Sequence, residues 1–272
     1  MGQLHCNDID LYYEVRGPEF AVPDRRPLIL VAGLASDSQS WLPALDALSR
    51  ERPVVTFDNR GCGRSLPHGA ANSMELLAGD CLHLADHLDL GHFDLLGHSM
   101  GGFIALECAR RAPERVSRLT VCNSAVTQSA RNQQLFSDWA DELEAGQADE
   151  RWFRNFFYWI FTPGFFDDPG AVEQLVDVAV HYPFRQTVAG FRAQVEAIRG
   201  FDARNWVETL LMPTLVVASA QDQLYPPGED AAGLAALPNA KLAVIPGQAH
   251  TLPLESPAQF SATVLAFLNQ PD

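Results

Sequence analysis

Phe93-Asp94-Leu95-Leu96-Gly97-His98-Ser99-Met100-Gly101-Gly102 is the stretch whose reading decides the fold. A short, mostly apolar run, Phe93–Leu96, reads as a strand. A glycine-bounded turn follows, and then a helix over Met100–Arg111. Strand, Gly-x-Ser-x-Gly and helix in that order make a nucleophile elbow. The glycines suit a turn so tight that a Cβ at either position would clash with its neighbours. Such a turn lifts the Ser99 hydroxyl above the C-terminal edge of the sheet. It also leaves the Met100 amide free at a helix N-terminus, where it can receive a developing oxyanion.

Outward from the elbow, short apolar runs alternate with amphipathic stretches, the pattern of parallel strands joined by helices. Strands are expected at Leu28–Val31, Val54–Phe57, Leu119–Cys122, Thr214–Ala218 and Leu242–Ile245. Each is apolar enough to be covered on both faces. Leu11–Val15 reads as an antiparallel edge strand and Met74–Leu88 as a helix. A final helix starts at Ser256-Pro257-Ala258-Gln259, with an N-cap serine, an N1 proline and a capping-box glutamine. The alternation breaks once, between Cys122 and Thr214. Residues 126–206 hold 16 of the 26 aromatic residues in 81 of 272 positions, roughly a fourfold enrichment over the remainder. A helical insertion accounts for this. Its rings are too many to bury within one thin layer, so some should line a cavity against the sheet. The candidates are Trp152, Phe156, Phe157, Trp159 and Phe161.

Composition narrows the function. A formal charge of −15 excludes a basic nucleic-acid-binding face and adhesion to anionic lipid. No apolar run is long enough to span a bilayer, and the first residues lack signal-peptide blocks, so a cytoplasmic protein is expected. Five cysteines without a Cys-x-x-Cys pair read as buried free thiols. His83 and His87 have i, i+4 spacing, but no zincin glutamate accompanies them, and an exposed helix face is the expected reading.

A serine hydroxyl needs a base, and the base needs an orienting carboxylate. His250, in Pro246-Gly247-Gln248-Ala249-His250, follows the strand ending at Ile245 and should emerge at the edge that carries Ser99. His98 adjoins the nucleophile and cannot curl back onto it. Asp222 follows the strand Thr214–Ala218. The preceding strand ends in Asn123-Ser124, with no acid. Asp58 is the rival, but it opens Asp58-Asn59-Arg60-Gly61-Cys62-Gly63-Arg64-Ser65, which reads as a structural turn.

With Ser99, Asp222 and His250 in that chain order, the sequence resembles the α/β-hydrolase superfamily over nearly its whole length. The branch it resembles is the capped one that includes 3-oxoadipate enol-lactonase-like enzymes and small esterases. The matching motifs are the elbow, the Asp58–Ser65 loop, the Asp222 and His250 positions, and Leu28–Trp41. The resemblance implies an α/β fold: a mostly parallel eight-stranded sheet, helices on both faces and a helical cap insertion. Residues 1–124 and 211–272 would form the core and 125–210 the cap. Where the family carries a His-Gly turn, this chain has Ala32-Gly33-Leu34, so the second oxyanion amide maps to Leu34 beside that of Met100.

The implied activity is hydrolysis of a carboxylic ester or lactone of a small, largely apolar or ring-bearing molecule. It would run through a Ser-His-Asp triad and an acyl-enzyme, with no cofactor and no metal. A small-molecule substrate is the expected partner, without nucleic acid or membrane, for a monomer or homodimer. Thioesterase, amidase and C–C bond hydrolase chemistry share the machinery. Cofactor-free dioxygenases and ligand receptors with a retained triad also use the fold. Arg154, Arg185 and Arg192 in the insertion are candidates for meeting a substrate carboxylate.

Overall fold

A computed structural model describes residues 1–20 and 25–271. Eight strands form one sheet: β1 (Gly2–Cys6), β2 (Ile9–Arg16), β3 (Leu28–Val31), β4 (Val54–Phe57), β5 (Phe93–His98), β6 (Val116–Cys122), β7 (Thr214–Ser219) and β8 (Ala240–Ile245). Their spatial order is β1-β2-β4-β3-β5-β6-β7-β8, antiparallel at β1/β2 and β2/β4 and parallel elsewhere.

The parallel strands alternate their side chains between two apolar layers. Leu28, Leu30, Val54, Leu96 and Val217 pack with α1 (Leu42–Leu48) and the C-terminal helix Pro257–Leu268. Ile29, Val31, Val55, Leu95 and Val121 face α2 (Met74–His87) and α3 (Met100–Arg111). Each fully buried Leu, Ile or Phe in these layers contributes about 1.5–3 kcal/mol. Beyond β6 the chain leaves the sheet to form α4 (Ala130–Glu144), α5 (Asp149–Ile160), α6 (Pro169–Val180) and α7 (Val188–Arg199), returning at β7. Trp139 centres this insertion. Its ring stacks on Phe136 at 5.3 Å and meets Phe156 edge-on at 5.0 Å, while the Trp152 indole N–H donates to its carbonyl at 2.9 Å. All five cysteines are free and buried. Among the described residues no helix is long and apolar enough to cross a membrane.

Three local expectations are corrected. Leu11–Val15 lies in an antiparallel strand but not at the edge, because β1 folds back on it through a turn at Asn7, whose φ of 55° is a conformation asparagine tolerates. The partly polar Gly2–Cys6 gave no apolar signal for this strand. In β8, Leu242 and Val244 are exposed rather than covered, since only the Ala243 and Ile245 face packs against the C-terminal helix. The Ser256 capping box is not made. The Ser256 N–H already donates to the Leu252 carbonyl and closes the short helix Leu252–Glu255, so Gln259 is not needed there, and the two side chains meet each other instead.

The elbow is the tightest point of the fold. A Cβ on Gly97 would lie 2.0 Å from the Gly101 carbonyl oxygen, and one on Gly101 would lie 2.1 Å from that of Val31. Backbone cannot yield as a side chain can. Gly101→Ala should therefore cost roughly 3 kcal/mol or more, and lower the melting temperature by roughly 6 °C or more. Gly91→Ala, with nothing within 4 Å of the added carbon, should melt with the wild type. Equal melting of both variants in a thermal scan would contradict the close approach.

Candidate active site

Ser99 sits between β5 and α3 with φ 56° and ψ −122°. For a residue with a Cβ this costs on the order of 1–3 kcal/mol. It is held there by its N–H donating to the Cys122 carbonyl at 2.9 Å and by the Gly102 N–H donating to its own carbonyl at 2.8 Å. Gly33 backs it: a Cβ on that residue would lie 3.0 Å from the Ser99 Cβ. The Ser99 hydroxyl has no hydrogen-bond partner among the described residues and faces a cavity of about 490 Å³. The amides of Leu34 and Met100 likewise donate to no protein acceptor among the described residues. Asn59 fixes the turn that carries Leu34 by donating from Nδ2 to the Ala32 carbonyl at 2.9 Å.

His250 lines the same cavity. Its Nδ1 donates to Asp222 Oδ2 at 2.9 Å, and both side chains are almost fully buried. A carboxylate only accepts, so Nδ1 carries a proton, and in the neutral imidazole Nε2 is then the nitrogen with the lone pair. Asp222 is itself fixed, since its Oδ1 accepts from the Leu224 and Tyr225 amides at 2.8 and 3.0 Å. Asp58 is committed elsewhere. It accepts from the Ser38 amide at 2.9 Å and from the Arg64 amide and Nε at 2.8 and 2.9 Å, which bears out the structural-turn reading of its loop. Cys62 also lines the cavity, but burial and then the charge of Asp58 push its thiol well above its ordinary range, so it offers little thiolate.

Two positioning contacts had no sequence signal. The His250 carbonyl accepts from His98 Nε2 and from Asn123 Nδ2, each at 2.8 Å. Asn123 also accepts from the Ser219 amide at 2.9 Å, which ties the end of β7 to the His250 loop. On the other side, the Thr251 N–H donates to the Ile160 carbonyl at 3.1 Å, so the His250 loop is bonded to the last turn of α5. His83 and His87 belong to no metal-binding cluster among the described residues, and His87 Nε2 lies 3.1 Å from the Tyr13 hydroxyl.

Trp152, Phe156, Phe157 and Phe161 line the cavity together with Phe136, Trp139, Phe153, Tyr182 and Phe191. Trp159 does not. It meets Trp139 edge-on at 6.5 Å, with the Arg131 guanidinium over its ring at 5.6 Å. Of the three arginines, Arg154 is bound to Glu173, and Arg192 to Asp141 and Glu144, away from the cavity. Arg185 is at the cavity wall but is paired with Asp149 at 2.5 Å.

Burial, and then the nearby His250, push the His98 imidazole down to about 3. The unfolded chain titrates near 6.5, so below that pH it binds a proton that the folded protein refuses. The stability this group confers is present above pH 6.5 and is lost as the pH falls toward 3. His98→Gln keeps an N–H donor and removes the titration. Between pH 6.5 and 5 the wild type should lose up to about 2 kcal/mol more than the variant in denaturant unfolding. Parallel acid limbs would contradict this environment for His98.

With this geometry in view, relatives can be compared. The α/β hydrolase fold family matches residues 26–257. A protein of Azorhizobium caulinodans named "Putative carbamate hydrolase RutD" is 27% identical over 274 residues, covering the whole of both chains. One of the same name from Caulobacter sp. strain K31 is 31% identical over 271 residues, covering 95% of this chain and 96% of its own. The crystal structure of the enol-lactonase from Burkholderia xenovorans LB400 superposes with a TM-score of 0.88 at 25% identity, covering 99% of this chain and all of that one. An enzyme by this kinship, the chain belongs to the α/β hydrolase fold family.

Proposed function

We propose that this protein is a serine hydrolase that cleaves a carboxylic ester or lactone of a small, largely apolar or ring-bearing molecule. The observation that carries the proposal is His250, locked through Nδ1 to Asp222, in the wall of the cavity that also receives the free Ser99 hydroxyl. In this reading His250 Nε2 takes the Ser99 proton as Oγ attacks the substrate carbonyl. The Leu34 and Met100 amides hold the tetrahedral oxyanion. Collapse expels the alkoxide, which takes the proton from His250, and water repeats the sequence on the acyl-enzyme. No hydrogen bond joins Ser99 Oγ to His250 among the described residues, and catalytic hydrogen bonds of this kind form or tighten when substrate is bound. The inserted helices, residues 125–210, serve as a cap over a core formed by 1–124 and 211–272. The names of the relatives are compatible with this chemistry: a carbamate and a lactone each present a carbonyl carbon to a nucleophile. The buried free thiols support a reducing, cytoplasmic location for the enzyme.

A fluorophosphonate probe and short p-nitrophenyl esters test the proposal. The probe should label Ser99, and Ser99→Ala should abolish labelling and ester turnover. Asp222→Asn should lower kcat by about 10⁴-fold through loss of the correct tautomer. Ester turnover that persists in Ser99→Ala would overturn the assignment. Absent labelling with oxygen uptake on a quinolone-type ring would replace it with the dioxygenase reading. Tight ligand binding without turnover would replace it with a receptor.

A further inference from the structure

One polar pole interrupts the apolar cavity. Asp37 lies three residues beyond Leu34, no more than about 11 Å along the chain from it, and lines the same cavity as Ser99. Its carboxylate is almost fully buried. Oδ1 accepts from the Gln39 amide at 2.9 Å, and Oδ2 accepts from the Tyr182 hydroxyl at 2.6 Å. Tyr182 follows α6 in the insertion, so this bond joins the core loop to the helices above it. Among the described residues the only other charged groups lining the cavity are Asp149 and Arg185, and these neutralise each other at 2.5 Å. The nearby Arg64 favours the ionised form of Asp37 but is itself paired with Asp58 and Glu14 and does not line the cavity, so the wall carries the negative charge of Asp37. Toward solvent the lining includes the exposed apolar side chains Val178, Phe184, Val188 and Leu254 beside the Asp149–Arg185 pair.

From this arrangement we propose that Asp37, held by Tyr182, is a charge filter: it admits neutral substrates with an apolar body and turns away those that carry a carboxylate into the cavity. The proposal rests on the hydrolase reading only for which bond is cut. A carboxylate brought within several ångströms of Asp37 would be repelled by like charge in poorly screened surroundings, while a neutral chain meets rings on most sides. A repulsion of this kind corresponds to a preference on the order of tenfold to a hundredfold. Two neutral polar demands of the carboxylate are already met by Gln39 and Tyr182. A carboxylate has about four acceptor positions, so a hydroxyl or amide N–H on the substrate can still be received. Burial raises the Asp37 carboxyl above its ordinary range, and the Tyr182 hydrogen bond opposes this by stabilising the ionised form.

The test uses two unreactive amides of matched length, N-phenylvaleramide and N-phenylglutaramic acid, which differ by a terminal methyl against a terminal carboxylate. Their Kd values are read from quenching of tryptophan fluorescence, since Trp139 and Trp152 line the cavity. The wild type should bind the neutral amide at least tenfold more tightly. Asp37→Asn, checked for folding by its melting transition, should shrink that gap severalfold or more. Tyr182→Phe keeps the carboxylate and, measured well above the carboxylate range so that Asp37 stays ionised without this hydrogen bond, should keep the gap. Equal affinities in the wild type, an undiminished gap in folded Asp37→Asn, or a gap closed by Tyr182→Phe would each overturn the filter. If Asp37→Asn does not fold, the wild-type and Tyr182→Phe measurements still decide. Binding is read here without turnover, so a protein inert toward esters would overturn the hydrolase reading and leave this measurement standing.

Discussion

The structure depends on one close approach of backbone to backbone, that of Gly101 at the start of α3 against the Val31 carbonyl at the end of β3. It brings the helix N-terminus down onto the sheet edge. The chain between can then turn only by taking Ser99 into a left-handed conformation, so the hydroxyl stands out of the turn. The strain is confined to one residue and offset by the bonds that hold it, to the Cys122 carbonyl and from the Gly102 amide. The amides of Leu34, which lines the cavity, and of Met100, which follows Ser99, are left with no protein acceptor among the described residues. Unpaired buried donors are costly unless something else receives them.

His250 is fixed from three directions. Asp222 holds its ring, His98 and Asn123 hold its carbonyl, and Ile160 holds the amide of the next residue. The last of these comes from the insertion, as does Tyr182 on Asp37. The aromatic insertion therefore lines the cavity and is also bonded both to the His250 loop and to the loop that carries Leu34. A displacement of α5 would be transmitted to Thr251 through the Ile160 carbonyl, which accepts from its N–H at 3.1 Å and its hydroxyl at 3.0 Å.

Much of this was legible in the sequence because its causes are local. Apolar runs such as Leu28–Val31 and Thr214–Ala218 could be read as strands because both of their faces are covered. The elbow glycines could be read because a tight turn excludes a Cβ. The density of aromatics in 126–206 announced a lined cavity, and four of the five rings singled out are in its wall. What escaped notice depends on partners far along the chain. Asn123 and His98 meet His250 across more than a hundred residues, and Tyr182 meets Asp37 across a similar span, so no spacing or periodicity records them. Trp159 looked like its neighbours on a helix that is aromatic on several faces, and only packing around Trp139 decides which rings point to the cavity. β1 was silent because an edge hairpin half in water needs no apolar run, and β8 is covered on one face only because the sheet ends there.

The most direct test of the central claim is a crystal structure of the protein after reaction with a phosphonate ester. The account predicts a covalent bond from Ser99 Oγ to phosphorus, with the phosphoryl oxygen about 2.7–3.1 Å from both the Leu34 and Met100 amide nitrogens. It further predicts His250 Nε2 within hydrogen-bonding reach of the adduct. An adduct on another residue, or a phosphoryl oxygen turned away from those two amides, would contradict it.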